Sequence, residues 1–243
     1  MGQVTYDDGS LPAASAPHET KANTVLRPIV FGANDGLVSN LALVMGVAGA
    51  NPEPGMIVLA GVAGLIAGAF SMGVGEYISV QSQRELLDYQ VAFQRKQLRE
   101  APEQEHRILL DIYRSRGFED AEARQFVDAV FDEPDHAVRL LIFEEVGLDV
   151  RSIGVPMTAA LSSFGAFTAG AFIPLLPYLL ASGAPAFGWS LGLSLAALAG
   201  LGAGIARLTR RPIWFGALRQ VLLGGIAAAV TYAVGGLVGG SIG

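Results

Sequence analysis

Five blocks of apolar residues, each long enough to cross a lipid bilayer, constrain this chain more than any other feature of its sequence. Residues 28–50, 56–80 and 213–243 contain one formal charge each, and residues 152–206 contain none. The last of these stretches is too long for one span, and the turn-forming residues 181–185 divide it into two. Because about 20 apolar helical residues cross the hydrocarbon core, we predict an all-α membrane protein with five transmembrane helices.

The charged residues are concentrated between the second and third spans. Residues 81–151 contain 16 acidic and 10 basic residues, with apolar residues at helical spacing. Pro102 and Pro134 suit first helical turns, and Gly117 and Gly147 suit helix ends. We therefore predict that span two extends to Glu100 and that a three-helix insert follows. The predicted domains are an N-terminal tail (1–26), spans one and two (27–83), the insert (84–151) and spans three to five (152–243).

Basic residues lie on one side of the predicted spans. They precede span one, occur throughout the insert and surround the turn between spans four and five, whereas loops 51–55 and 181–186 contain none. By the positive-inside rule, the N-terminus and the insert are cytoplasmic and the C-terminus is outside. The chain has no cysteine, which excludes disulfides and thiolate metal sites.

Small residues recur at four-residue spacing in the spans. Such rows let helix backbones approach closely, either within one subunit or at a seam between two copies. We expect a homo-oligomer, because five spans with so few polar residues make a poor pore alone. The glycine pairs are Gly64 and Gly68, Gly188 and Gly192, Gly200 and Gly204, and Gly235 and Gly239.

Asp35 is the clearest functional candidate, since a carboxylate within hydrocarbon is costly and usually faces a cavity with a partner. Ser39 lies one helical turn away on the same face, and Asn40 adds a further oxygen. In span two, Met72 and Glu76 are also four residues apart. A thioether beside carboxylates suits a borderline-soft cation such as Fe(II) better than Mg or Ca. Alternatively, Met72 only packs and Glu76 lies at the membrane interface.

The insert offers a second group of candidate metal ligands. The alternative for each of them is an ordinary charged side chain on a solvated helix face. Two Glu-x-x-His spacings, Glu103 to His106 and Glu133 to His136, are typical of di-iron bundles, although Pro134 lies inside the second. The acidic candidates are Glu100, Glu103, Glu105, Asp111, Glu144 and Glu145.

Two long motifs, residues 26–40 (LRPIVFGANDGLVSN) and 67–83 (AGAFSMGVGEYISVQSQ), resemble those of the vacuolar iron transporter, or CCC1-like, family. The similarity extends to the five spans, the insert and its closing motif at residues 143–148 (FEEVGL). The resemblance implies a homodimer that exchanges cytoplasmic Fe(II), and often Mn(II), for protons along a path between the two copies of spans one and two. It also implies that Asp35 and Met72 are pore ligands and that the insert collects metal.

The sequence departs from this family pattern at several positions. Plant vacuolar members carry a pore glutamate where this chain has Gly64, and here Glu76 follows the methionine instead, as in bacterial and nodulin-like members. In the insert, Gln97 and Ile108 replace expected acids. Leu141 and Ile142 stand where methionines often precede the last glutamate. Pore chemistry is therefore the firmer part of the resemblance.

We expect a secondary transporter, not an enzyme: a proton-coupled exporter of divalent iron or manganese. The alternatives are a membrane-anchored di-iron ferroxidase and a passive cation channel. No span contains histidine, so a hydrolase would lack the usual base. The metal is substrate, and we expect no prosthetic group and no nucleic-acid partner. The membrane would be the plasma membrane in a bacterium and the vacuolar membrane in a eukaryote.

Overall fold

The computed structural model describes residues 19–147 and 154–242, and every regular element in them is helical. The predicted N-terminal tail up to residue 18, Leu148 of the closing motif and the predicted boundary at 151/152 lie outside these residues. The helices are α1 (Glu19–Gly49), α2 (Pro54–Glu100), α3 (Pro102–Ser115), α4 (Asp120–Phe131), α5 (Pro134–Leu141) with a π-helical turn (Ile142–Val146), α6 (Pro156–Leu180), α7 (Ala184–Leu208) and α8 (Ile213–Ile242).

Five helices in the described residues are long and apolar enough to cross a membrane, which confirms the predicted multi-pass architecture. They are α1, α2, α6, α7 and α8. The predicted extension of span two is also confirmed, because α2 continues without a break to Glu100. The turn predicted at residues 181–185 separates α6 from α7. α1 begins at Glu19, ahead of the span predicted from residue 27.

Helix α1 lies at the centre of the bundle. It packs most extensively against α6 and α8, while α2 packs on α6 and α7 packs on α8. The core beside α1 contains the fully buried side chains of Leu41, Val44 and Leu198. α1 and α2 therefore share α6 as a common support, which positions the facing surfaces of the first two spans.

The predicted close approach of small residues occurs at half of the glycine pairs. A Cβ at Gly64 or Gly68 would meet the side chains of Leu43 or Phe167, and one at Gly235 would overlap the Gly46 carbonyl. A Cβ at Gly239 would meet Ala50. By contrast, a Cβ at the four α7 glycines of the other two pairs, Gly188, Gly192, Gly200 and Gly204, would meet no atom of another helix within 4 Å.

The insert has its own apolar core. α3, α4 and α5 enclose Leu109, Val127 and Leu141, all fully buried. Pro102 and Pro134 occupy first helical turns, and Gly117 and Gly147 have positive φ at helix ends, as predicted. The start of α4 was not predicted from the sequence. There, a capping box pairs the Glu119 and Glu122 side chains with backbone N–H groups.

The alternating direction of the spans places the insert and the α7–α8 turn at one end of the bundle. The short α1–α2 and α6–α7 connections lie at the other end. Every basic residue of the described connections is at the insert end. This is the asymmetry on which the predicted cytoplasmic orientation rests.

Candidate functional site

A cavity of about 230 Å³ lies between α1 and α2 and contains four of the five predicted pore residues. Asp35, Ser39 and Asn40 line it from α1, and Met72 lines it from α2. The four-residue spacing of Asp35 and Ser39 places both on the face of α1 that turns toward α2. The structure thus brings a carboxylate, a hydroxyl, an amide and a thioether to one cavity within the predicted spans.

Asn40 is the most constrained of these side chains. It is 2% exposed, and its Nδ2 donates a hydrogen bond to the Ala171 carbonyl oxygen of α6 at 2.6 Å. Its Oδ1 has no hydrogen-bond partner, although it is buried. A Cβ added at Gly64 would lie 3.1 Å from this oxygen. The bond to Ala171 therefore holds the amide with its carbonyl oxygen toward the cavity-lining Gly64.

Glycines and one aromatic ring shape the cavity wall. Gly64 and Gly68 line it from α2, and Phe167 of α6 closes one side with only 3% of its surface exposed. A Cβ at Gly68 would overlap the Phe167 ring. The absence of a side chain therefore lets α2 approach α1 at Gly64 and α6 at Gly68, and it leaves space in front of Asn40 and Met72.

Glu76, the fifth predicted pore residue, does not line this cavity. It lies one turn beyond Met72 on α2 and is half-buried. Its assignment as a pore ligand or as an interfacial carboxylate stays a prediction.

In the insert, the structure brings Glu105 and Glu145 together beside Gln94. Gln94 donates from Nε2 to Glu145 Oε2 at 2.5 Å, while its own Oε1 is buried without a partner. Glu105 is 3% exposed, and its Oε2 also has no partner. Burial raises the pKa of the Glu105 carboxyl above its ordinary value, and the nearby Glu145 carboxylate raises that pKa further.

Glu144 is held by a different set of partners. Its side chain is 3% exposed, and it accepts hydrogen bonds from both terminal nitrogens of Arg116 and from the Tyr113 hydroxyl, the latter at 3.1 Å. The pKa of the Tyr113 hydroxyl is raised, mainly by burial and secondly by the hydrogen bond to Glu144. The oxygens of Glu144 are thus engaged in an ion pair that joins α3 to the π-helical turn.

The remaining acidic candidates are exposed. Glu100 lies 3.9 Å from Lys96, and Asp111 lies 3.1 Å from Arg114. Glu103 is exposed in the first turn of α3. In residues 19–147 and 154–242, no three Asp, Glu or His side chains gather as a group that could hold a metal ion.

The two Glu-x-x-His motifs do not form a shared site in the structure. The His106 Nε2 lies 2.6 Å from Asp128 Oδ1, and the ring packs edge-on against Phe131 with centroids 5.0 Å apart. His136 is exposed on α5. His106 therefore links α3 to α4 rather than facing the second motif.

Several cavity residues were not predicted from the sequence. Phe167 lies in a span without any charge, and nothing in the sequence distinguishes it from neighbouring apolar residues. Ser71 adjoins Met72 within the second motif and lines the cavity as an exposed hydroxyl.

In the insert, Gln94 was missed because a glutamine on an extended helix is ordinarily solvated. Its 2% exposure becomes visible only in the fold.

Comparison with known proteins identifies the family of this chain. Residues 26–236 match the sequence profile of the VIT family. The chain belongs to the VIT family. Vacuolar iron transporter 1 of Oryza sativa subsp. japonica is 29% identical to it over 242 residues, covering 93% of this chain and 94% of the relative. The vacuolar iron transporter of Acanthamoeba castellanii is 35% identical, covering 86% and 77%, and that of Centaurea cyanus is 28% identical, covering 96% and 95%.

The VIT family match confirms the resemblance drawn from the two motifs. It extends from the start of the first motif through the insert and into α8, so it covers all five spans. The relatives are named as transporters and not as enzymes. As a VIT family member, the chain is a multi-pass membrane protein whose α1–α2 cavity is the candidate transport site.

Proposed function

We propose that this protein exports divalent iron, manganese or both from the cytoplasm in exchange for protons, and that it does so as a homodimer. The α1–α2 cavity, where Asp35, Asn40 and Met72 meet within the membrane-spanning region, is the observation that carries this proposal. Iron is the named cargo of the relatives. The proposed membrane is the plasma membrane in a bacterium and the vacuolar membrane in a eukaryote, with the N-terminus and insert cytoplasmic.

The donor set suits a divalent cation of intermediate softness. Asp35 supplies a charged oxygen, Ser39 and Asn40 supply neutral oxygens, and Met72 supplies a thioether sulfur. Thioethers favour Fe(II) and similar ions over Mg and Ca, which take oxygen ligands. The buried and unpartnered Asn40 Oδ1 supports this proposal, because a cation would satisfy an oxygen that nothing else in the described structure satisfies.

A second copy would complete the site. Ser39 and Ser71 are exposed where the cavity opens at the surface of α1 and α2. Large apolar side chains are also exposed on these helices, including Phe31 (60%) and Phe70 (60%). If a two-fold axis passed through this opening, two Asp35 carboxylates would balance the charge of one divalent ion. Lipid would then be excluded from the cavity mouth.

Proton exchange follows from the same carboxylate. Asp35 can bind a cation or a proton, and protonation removes the charge that holds the cation. Loading from the cytoplasm and release on an acidic side would therefore couple metal movement to proton movement in the opposite direction.

In the insert, we propose Glu105 and Glu145 as metal-collecting carboxylates with Gln94 as a neutral oxygen donor. Glu144 would remain in its ion pair with Arg116.

Transport into proteoliposomes tests the cavity. Fe(II) or Mn(II) uptake is measured with an internal metal-sensitive dye, and proton movement with a pH dye. We expect Asp35→Ala and Met72→Ala to lower uptake at least about tenfold, because each removes a donor from the cation. Met157→Ala is the matched control, since Met157 is 56% exposed on α6 and does not line the cavity. Wild-type uptake by both cavity variants would refute the site.

The same assay separates the alternatives. Metal flux without proton movement would favour the passive channel. Metal-dependent oxygen consumption by the purified full-length chain would favour the ferroxidase. Both dyes responding together, in proportions that stay fixed as the metal gradient is changed, is the result expected for coupled exchange.

The absence of cysteine gives a direct test of the homodimer. Ser39→Cys introduces the only thiol, at the exposed mouth of the cavity. Two copies related by a two-fold axis at this mouth would form a disulfide in mild oxidant. Leu193→Cys, at an exposed position on α7, is the control that should remain monomeric on a denaturing gel. Equal cross-linking of the two variants would remove support for a dimer through α1 and α2.

A further inference from the structure

The turn between α7 and α8 carries an arginine where a glycine would be less strained. The Arg211 N–H donates to the Ala206 carbonyl at 2.8 Å, and the Arg210 N–H donates to the Arg207 carbonyl at 3.4 Å. These two bonds form a Schellman motif, whose left-handed position is usually glycine. Arg210 occupies that position with φ of +54°. A strained residue of this kind points to a use for its side chain.

The arginines of this turn have no ionic partner within the described residues. Arg207, Arg210 and Arg211 are all exposed, and none of the ion pairs formed in residues 19–147 and 154–242 involves them. In the insert, by contrast, Arg114 and Arg124 are paired with Asp120. The turn therefore presents three positive charges within five residues to its surroundings.

Large apolar side chains flank these charges. Leu208 is 65% exposed at the end of α7, and Trp214 and Phe215 are 69% and 48% exposed in the first turn of α8. Indole rings with one apolar and one polar side favour the boundary between headgroups and hydrocarbon. α8 has 30 residues. At a rise of 1.5 Å per residue it is about 45 Å long, more than the roughly 30 Å hydrocarbon thickness, so its ends reach headgroup depth.

We propose that the arginine turn, Arg207 to Arg211, binds the phosphate of an anionic lipid headgroup. The planar guanidinium groups can each donate two parallel hydrogen bonds to phosphate oxygens, and the flanking Leu208 and Trp214 contact the acyl chains. Net negative charge selects anionic over zwitterionic lipid, by roughly fivefold for each arginine close to the headgroup. This site is separate from the α1–α2 cavity and does not depend on the transport proposal.

The two tryptophans of the chain provide the test. Trp214 adjoins the arginine turn, whereas Trp189 lies near the start of α7 at the other end of the bundle. Full-length Trp189→Phe and Trp214→Phe variants each leave one reporter. They are placed in vesicles that contain a minor fraction of brominated phosphatidylglycerol or of brominated phosphatidylcholine. We expect brominated phosphatidylglycerol to quench Trp214 severalfold beyond its bulk fraction, and Trp189 only in proportion to it.

Variants of the turn complete the test. Arg207→Gln, Arg210→Gly and Arg211→Gln together should abolish the excess quenching of Trp214 without lowering the thermal midpoint, because glycine relieves the left-handed position. Arg124→Gln, in the insert, should leave the quenching unchanged. Equal quenching of both tryptophans, or excess quenching that survives when all three turn arginines are replaced, would overturn the proposal. Soluble glycerol phosphate provides a further test. If it abolished the excess quenching of Trp214 at concentrations below that of the lipid phosphate, the turn would bind free phosphate esters and the proposal would be overturned.

Discussion

Asn40 of α1 and Ala171 of α6 are joined by a hydrogen bond of 2.6 Å from the Asn40 amide to the Ala171 carbonyl oxygen. This bond connects the packing of two spans with the orientation of a cavity oxygen. Because the amide nitrogen faces α6, the carbonyl oxygen faces Gly64 and the cavity. The helix that supports α1 thus also orients one donor of the candidate transport site.

Substitutions at Asn40 should separate its two roles. Asn40→Leu keeps the number and branching of the side-chain heavy atoms and removes both polar atoms, so we expect uptake at least about tenfold lower. Asn40→Asp keeps an oxygen at the cavity but sets a carboxylate against the Ala171 carbonyl, which should cost about 1–3 kcal/mol. Thermal unfolding in detergent and proteoliposome uptake measure the two effects.

Ser194→Ala is the control for Asn40, because Ser194 is also fully buried with an unpartnered hydroxyl but lies on α7 away from the cavity. We expect wild-type uptake from this variant. Normal uptake by Asn40→Leu would show that its oxygen takes no part in transport.

Gly36→Ala should destabilise the bundle by about 1–3 kcal/mol, the range for overpacking a close contact. A Cβ there would overlap the backbone carbonyl of Phe167, which cannot move without shifting α6. Gly204→Ala is the matched control on α7, where the Cβ position is open and alanine favours the helix. Urea or thermal unfolding in the same detergent compares them. A Gly36→Ala protein as stable as Gly204→Ala would contradict the contact.

Glu105→Gln should stabilise the insert at neutral pH. Burial and the Glu145 carboxylate raise the folded-state pKa of Glu105, so the folded protein binds its proton more tightly than the unfolded chain does. Stability contributed by Glu105 is therefore present below its unfolded pKa and declines as pH rises through the raised folded pKa. The glutamine variant should lack this decline.

Hydrogen exchange of the α3 amides in the full-length protein, measured from acidic to neutral pH without metal, tests this dependence. Glu103→Gln is the control, because Glu103 is exposed in the same helix and should show no such effect. If the α3 amides of the wild type became better protected as the pH rose through this range, the predicted loss of stability with rising pH would be wrong.

Arg116→Met should destabilise the insert more than the double variant Arg116→Met with Glu144→Gln. Removing the arginine alone leaves a carboxylate with 3% side-chain exposure without its cation, whereas the double variant removes both charges. Arg124→Met is the control and should be nearly neutral, because Arg124 and Asp120 form an exposed pair with 57% and 59% side-chain exposure. Hydrogen-exchange protection of the α3 amides ranks the stability of the variants. If the losses of stability at Arg116 and Glu144 simply added in the double variant, the two side chains would not be energetically coupled.

The sequence predicted the helices well because each is set by local and composition-driven effects. The length of apolar runs determines which segments can cross a bilayer, and Pro102, Gly117, Pro134 and Gly147 act within single turns. Asp35 was identifiable for the same reason, since a lone charge in an apolar block is visible without knowing its neighbours. The α4 start was missed because its capping residues are glutamates, which are common throughout the insert.

By itself, the sequence determined the number of spans, the place of the insert and the identity of the polar residues at membrane depth. Only the tertiary structure decided which of them meet. Asp35, Ser39, Asn40 and Met72 share a cavity with Phe167, whereas Glu76 does not line it. The physical reason is that a side chain's partners depend on how helices distant in sequence pack together. At Gly36, Gly64 and Gly68 that packing depends on the space a missing side chain leaves for a neighbouring span.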